Sequence, residues 1–285
     1  MAVIIDGKLV SAKTREDIKL RVEEFKVNNN ITPGLAVVVV GNDPASAVYV
    51  RNKHKATLAV GMNSYQIEYP ENISESSLLE KINELNLDPY VSGILVQLPL
   101  PKHIAEEKVI AAISPEKDVD AFHPQNVGKI MIGDYDILPC TPAGIMRLLD
   151  FYNLEVEGKR CVILGRSNIV GKPMAHLLLE RNGTVTVCHS KTENLSDITR
   201  DADILVVAIG KPKFLKSDMI KPGAIVIDVG INRDEVGKLV GDVDFDAVSE
   251  VASHITPVPG GVGPMTITML LENTLTAAEK QMGKK

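Results

Sequence analysis

The side chains best suited to chemistry fall in a few short stretches. In "AVYVRNK", Tyr49 and Lys53 stand four residues apart, which on a helix puts ring and amine on one face. "SGILVQLPLP" reads as a buried strand that delivers Gln97 at its C-terminal end, just before Pro99 and Pro101 break the chain. Ligands of parallel α/β sheets bind outside those carboxyl ends. "SPEKDVDAFHP" offers Asp118 and Asp120 on a turn-rich segment. Each fragment also has a plain structural reading: a packed ring beside a solvated amine, or carboxylates that only shape a loop. Y-x-x-x-K further invites comparison with short-chain dehydrogenases, but there the pair follows the glycine turn, whereas here it precedes it.

The turn in question is "LGRSNIVGKP", directly after the apolar run Cys161–Ile163, with glycines at Gly165 and Gly171. It is not the common G-x-G-x-x-G fingerprint. In a βαβ unit such a turn brings backbone N–H groups and a helix N-terminus to a pyrophosphate. The next strand ends "VTVCHSKT", with His189, Ser190 and Lys191 and no carboxylate. A NAD site usually carries an acid there for the ribose hydroxyl, and an acid would repel a 2′-phosphate. Arg166 and Ser190 instead supply a charge and a hydroxyl that suit one, which favours NADP. The competing reading is a structural arginine in a Rossmann-like domain that binds nothing. A second glycine-rich stretch, "PVPGGVGP" at 257–264, requires backbone that passes close to something, or a hinge, or is an ordinary loop. "GDVDFD" at 241–246 is read as structural.

These residues need elements to hold them. Apolar runs at 35–40, 94–98, 160–164, 184–188, 204–209 and 224–229 read as buried parallel strands, because both faces are apolar. Amphipathic segments at 11–29, 44–60, 75–86, 103–112, 142–152, 170–181 and 265–280 lie between and after them. Alternation of this kind means βαβ units. The polar connector "GDYDILPCTP" marks a boundary, with Thr141 and Pro142 as the cap and first position of a new helix.

The bulk composition fits. The 285 residues are 45% hydrophobic and 24% charged with net charge −6, which argues against nucleic acid or an anionic membrane as partner. No apolar run approaches the roughly 20 residues of a membrane span. Cys140, Cys161 and Cys188 are too scattered for a disulfide framework, and the histidines show no metal-ligand spacing. No signal peptide is expected, and the cytoplasm is the expected compartment.

Taken together the fragments resemble the bifunctional methylenetetrahydrofolate dehydrogenase/methenyltetrahydrofolate cyclohydrolase family. The stretches are "PGLAVVVVGNDPAS", "YVRNK", "GILVQLPLP", "PEKDVDAFHP", "PCTPAGI", "VILGRSNIVGKP", "DADILVVAIG", "IDVGIN" and "TPVPGGVGPMT", in family order along nearly the whole chain. One departure is Ala121, where the family commonly has glycine after "KDVD".

The resemblance implies an α/β protein of two domains with an active-site cleft between them. Residues 1–140, completed by the helix 265–285, would form the folate domain, and 141–264 a Rossmann-like NADP-binding domain with a parallel sheet. The substrates implied are tetrahydrofolate one-carbon derivatives, with NADP as cofactor and no metal. Lys53, Gln97, Tyr49 and Asp120 would be catalytic, with Tyr49, Asp120, Gly261 and Pro264 touching substrate. Gly165, Arg166, Ser167, Val170, Gly171, Ser190 and Ile231 would hold the cofactor. A homodimer is also implied. The alternatives are another two-domain NADP dehydrogenase of the shikimate or amino-acid type, and a non-catalytic NADP-binding sensor.

Overall fold

The computed structural model describes residues 1–41 and 44–283, with side chains outside 44–48. Part of the stretch "PGLAVVVVGNDPAS" therefore lies outside the described residues. In chain order the elements begin β1 (Val3–Ile4), α1 (Gly7–Asn29), β2 (Gly34–Val40), α2 (Pro44–Ala59), β3 (Asn63–Tyr69), α3 (Glu75–Leu87) and β4 (Gly93–Val96). Then follow α4 (Glu106–Ala112), α5 (Pro124–Ile132), α6 (Cys140–Phe151), β5 (Arg160–Leu164), α7 (Gly171–Glu180), β6 (Thr184–Cys188), α8 (Leu195–Arg200) and β7 (Ile204–Val207). The chain closes with β8 (Ile225–Asp228), β9 (Asn232–Arg233), β10 (Leu239–Val240), α9 (Phe245–Ser249), β11 (His254–Ile255) and α10 (Val262–Gly283). It divides into two compact units, Lys13–Cys140 with Ile267–Lys285, and Met1–Ala12 with Thr141–Thr266.

The first unit is built on a three-stranded parallel sheet in the order β3-β2-β4. β2, "GLAVVVV", is buried almost throughout because it is central, with both faces covered. β3 reads "NSYQIEY" and alternates between exposed and half-buried positions, as an edge strand does. Ala36, Val38, Ile94 and Val96 pack against Leu78 and Ile82 of α3. Each such Leu or Ile contributes roughly 1.5–3 kcal/mol by leaving water. A second cluster joins Ile18, Val22 and Phe25 to Ala56, Val60, Leu271 and Leu275. Ser74 starts α3, its Oγ accepting from the Ser77 amide at 3.1 Å.

The second unit carries a six-stranded parallel sheet, β1-β11-β8-β7-β5-β6. β5 has β6 on one side and β7 on the other, so the winding direction reverses there. This is the switch point outside which doubly wound sheets bind ligands. Three expectations change. β6, expected as a buried strand, is largely exposed because it forms the sheet's edge. Residues 1–12, expected with the folate domain, group instead with the large sheet. β1 pairs in parallel with β11, and the Ile5 amide donates to Ile255 O at 2.8 Å. The helix expected to be capped by Thr141 begins one residue earlier, at Cys140. Among the described residues no helix is long and apolar enough to cross a membrane.

Candidate active site

In the unit built on β2, strand β4 ends at Val96, but the chain keeps its register one residue further. The Gln97 amide donates to Val38 O at 2.8 Å, which fixes where the Gln97 side chain leaves the sheet. Its Oε1 accepts from Lys53 Nζ at 2.9 Å, while its Nε2 donates to Leu98 O at 2.9 Å. Both ends of the amide are therefore committed, and the lysine meets an acceptor of fixed position. Helix α2 supplies Lys53 half-buried and Tyr49 one turn earlier, 40% exposed. The structure thus brings together Lys53 and Gln97, residues far apart in sequence.

The "DVD" carboxylates part company. The Ile94 amide donates to Lys117 O at 2.7 Å and lays the segment beside β4. Asp118 is buried, its Oδ2 accepting from the His123 amide at 2.8 Å and from Asn126 Nδ2 at 2.9 Å. Burial lifts its pKa to about 6, against the pull of those two donors. Asp118 therefore folds the loop that leads to α5. Asp120 has another environment. The Cys140 thiol lies beside it, Sγ donating to Asp120 Oδ1 at 3.7 Å and to Val119 O at 3.5 Å. Asn273 Nδ2 clamps the same loop by donating to Val119 O at 2.8 Å and Leu138 O at 2.7 Å. Desolvation raises the Asp120 carboxyl above its usual range, while the nearby Lys53 ammonium and the Cys140 thiol pull it down. Lys53, Gln97 and Asp120 are thus one electrostatic group. Ala121 takes a left-handed φ of 58°, which explains why glycine suits the position after "KDVD". Sequence reasoning gave no place at the site to Cys140, although it stands in "PCTPAGI", or to Asn273, which lies in the distant helix α10.

In the unit with the large sheet, the glycine turn is shaped by close backbone contacts. A Cβ on Gly165, whose φ is 118°, would lie 2.2 Å from Ala208 O on the neighbouring strand end. A Cβ on Gly171 would lie 2.2 Å from Gly165 O. Ser167 Oγ accepts from the Val170 and Gly171 amides at 3.2 and 3.3 Å, so its first role is to fold the turn.

A pocket of about 280 Å³ opens at the ends of β5, β6 and β7, and Gly165, Arg166 and Ser190 line it. Lys211 and Phe214 line it too. Sequence reasoning passed over both, although they follow the second strand of the switch point. Ser167, Val170 and Gly171 stand in the turn without lining the pocket, and Ile231, 53% exposed and following β8, does not line it either. The narrow glycine cradle and the two basic side chains suit a phosphorylated dinucleotide such as NADP.

Gly261 and Pro264 belong to this same unit. Gly261 is buried, and a Cβ on Gly7 would lie 1.7 Å from its carbonyl oxygen. The glycines of "PVPGGVGP" therefore answer a close backbone approach to the start of α1. Among the described residues no three His, Cys, Asp or Glu side chains gather as a metal site.

The chain is similar to known proteins along nearly its whole length. The family model described as tetrahydrofolate dehydrogenase/cyclohydrolase, catalytic domain, matches residues 5–120, and its NAD(P)-binding domain matches 139–282. The bifunctional protein FolD of Acetivibrio thermocellus is 61% identical over 284 residues, covering 100% of this chain and 99% of that protein. The crystal structure of the bifunctional enzyme FolD, a methylenetetrahydrofolate dehydrogenase/cyclohydrolase from Campylobacter jejuni, superposes with a TM-score of 0.96 at 52% identity, over 99% and 100% of the two chains. The N5,N10-methylenetetrahydrofolate dehydrogenase-cyclohydrolase of Trypanosoma brucei, solved with NADP cofactor and an inhibitor, gives 0.95 at 41% identity over 99% and 98%.

Proposed function

The chain belongs to the tetrahydrofolate dehydrogenase/cyclohydrolase family, and we propose how its residues carry the two reactions. It is a bifunctional enzyme. It oxidises 5,10-methylenetetrahydrofolate to the methenyl compound with NADP⁺, then hydrolyses that compound to 10-formyltetrahydrofolate. The observation that carries the assignment of residues is the Lys53–Gln97 contact of 2.9 Å with Asp120 beside it.

NADP⁺, when bound, supplies the hydride acceptor. Gly165 and the turn through Gly171 receive its pyrophosphate, and Arg166 and Ser190 its 2′-phosphate. Tyr49 stacks on the flat folate rings. Asp120 accepts N–H bonds from the aminopyrimidine edge of the pterin, where a carboxylate matches two donors.

In the second reaction water attacks the methenyl carbon and gives up one proton. The hydroxyl so formed loses its own proton as its oxygen becomes the formyl carbonyl, the bond from that carbon to N5 breaks, and N5 takes up a proton, so that one proton is released overall. Lys53 orients the water and moves the proton, and Gln97 holds the amine in place. A shikimate-type dehydrogenase would explain the Rossmann unit but leave the Lys53–Gln97 pair and Asp120 without a task. We also propose a cytoplasmic homodimer, as the resemblance implies, which sedimentation of the purified chain tests.

The test of function is direct. Purified protein with NADP⁺ and 5,10-methylenetetrahydrofolate should form NADPH, and methenyltetrahydrofolate added alone should be hydrolysed. Protein that binds both compounds yet turns over neither would overturn the reading in favour of a sensor.

A further inference from the structure

The pocket at the ends of β5, β6 and β7 presents two cations. Lys211 lines it together with Arg166, His189 and Ser190. Among the described residues neither Lys211 nor Arg166 forms an ion pair with an acidic side chain. Two like charges on one small pocket repel each other, and an anion between them relieves that repulsion. The Lys211 ammonium lies 5.6 Å from the Phe214 ring centroid, which favours keeping the side chain over the pocket lining.

The backbone under Lys211 is held with unusual thoroughness. Asp242 is fully buried, and its Oδ2 accepts from the Ile209 and Gly210 amides at 2.7 and 2.9 Å. Its Oδ1 accepts from the Lys211 amide and from Asn232 Nδ2, both at 2.8 Å. Asp228, also buried, holds Asp242 in turn: its Oδ1 accepts from the Asp242 and Gly230 amides at 2.9 Å, and its Oδ2 from the Val243 amide at 3.0 Å. A Cβ on Gly241 would come within 1.8 Å of Asp228 Oδ2, so the packing admits only glycine there. Burying two carboxylates is costly. Three consecutive amides gathered on one of them fix the conformation of the segment that presents Lys211.

We propose that Lys211 is a second cation for the 2′-phosphate, acting with Arg166 to set the preference for NADP⁺ over NAD⁺, and that Asp242 is the positioning residue that aims it. This rests on the NADP reading above. The test needs no turnover. Calorimetry compares binding of 2′,5′-ADP and 5′-AMP, which differ only in the 2′-phosphate, to wild type, Lys211→Gln, Asp242→Asn and the double variant.

Lys211→Gln should weaken 2′,5′-ADP about 10-fold or more, as loss of a charge-assisted contact implies, while 5′-AMP stays within about 2-fold. Lys213→Gln, two residues on and outside the pocket lining, should change neither. Asp242→Asn should lower the same ratio, and the double variant should lower it no further than Lys211→Gln. A purely structural Asp242 would lower the melting temperature and weaken both nucleotides alike. A ratio unchanged in Lys211→Gln, or equal losses on both nucleotides, overturns the proposal while leaving the NADP reading in place. Wild type that does not distinguish the two nucleotides overturns both. If Asp242→Asn does not fold, Lys211→Gln still decides the role of the lysine.

Discussion

Replacing Lys53 with Met should separate the two reactions. The side chain is half-buried, and its ammonium meets Gln97 Oε1 at 2.9 Å, on an amide itself tied to Leu98 O. Met keeps most of the length and apolar stem but removes the amine to which we assign the proton transfer. Stability should change little. The loss is one charge-assisted hydrogen bond, on the order of 1.5–3 kcal/mol at most, and half-exposure lets water replace it. The chemical effect is larger. General acid–base help from a positioned group is worth roughly 10²- to 10⁴-fold, or about 2.7–5.4 kcal/mol of barrier. Only hydrolysis must manage a proton beside the attacking water; hydride transfer needs mainly alignment. We therefore expect Lys53→Met to lower hydrolysis of methenyltetrahydrofolate by at least about 100-fold, while NADP⁺ reduction stays within about 10-fold. The two rates are measured separately on the same preparation, one by loss of the methenyl compound and one by NADPH formation from the methylene compound. Gln97→Ala should impair the same step, because the amine loses its fixed acceptor. Hydrolysis that survives in Lys53→Met would refute the proton role. Equal loss of both rates would show that Lys53 binds substrate rather than moving a proton.

On the proposed pterin contact, Asp120→Asn exchanges an acceptor oxygen for an amide donor, so both reactions should fail or show a large rise in folate KM, with binding of 2′,5′-ADP unchanged; unchanged folate affinity would remove Asp120 from the substrate site. Ala121→Gly relieves a left-handed backbone worth roughly 1–2 kcal/mol against loss of one buried methyl worth about 0.8, so urea unfolding should show stabilisation of up to about 1 kcal/mol. A destabilised variant would show that methyl packing outweighs the strain. Asp118 carries a pH signature. Its folded pKa of about 6 lies above the ordinary value for aspartate, so the folded state holds the proton more tightly, and this contribution to stability falls as pH rises from about 4 to 6. Asp118→Asn should flatten that part of the stability–pH curve by up to about 3 kcal/mol relative to wild type, and an unchanged slope would place the titration elsewhere.

The parts legible in the sequence were those with local causes. β2 and β4 announce themselves because a central parallel strand must be apolar on both faces, and the glycine turn because Gly165 and Gly171 sit where backbones nearly touch. β3 escaped because "NSYQIEY" is an edge strand whose partner lies on one side only. The same cause made β6 look buried when it is not: its apolar residues fit a pattern, but the sheet ends there. The first strand is only Val3–Ile4, too short for any periodicity, and it is placed by β11, which lies some 250 residues later.

Asp118 and Asp120 show why the site was harder to read than the fold. They are the same residue type two positions apart, which on an extended strand would put them on one face. The turn between them, closed by the Ala121 amide donating to Asp118 O at 3.2 Å and by the left-handed φ at Ala121, sends them to different neighbours. One is taken up by His123 and Asn126, the other meets Cys140 and Lys53. "GDVDFD" divides in the same way. Asp242 is buried and gathers three backbone amides, whereas Asp244 pairs with Lys216 near the surface at 2.9 Å. Spacing cannot distinguish these roles, because each is assigned by donors that arrive from elsewhere in the chain. What the sequence does hold is the set of residues that makes such an assignment possible. Gly241 leaves room for Asp228, Gly230 leaves room for Asp242, and a methyl at either position would occupy the space of the carboxylate it faces. The glycines of "DVGIN" and "GDVDFD" are thus the local trace of a long-range contact, and they are where reading for chemistry should have looked for a pair of buried acids.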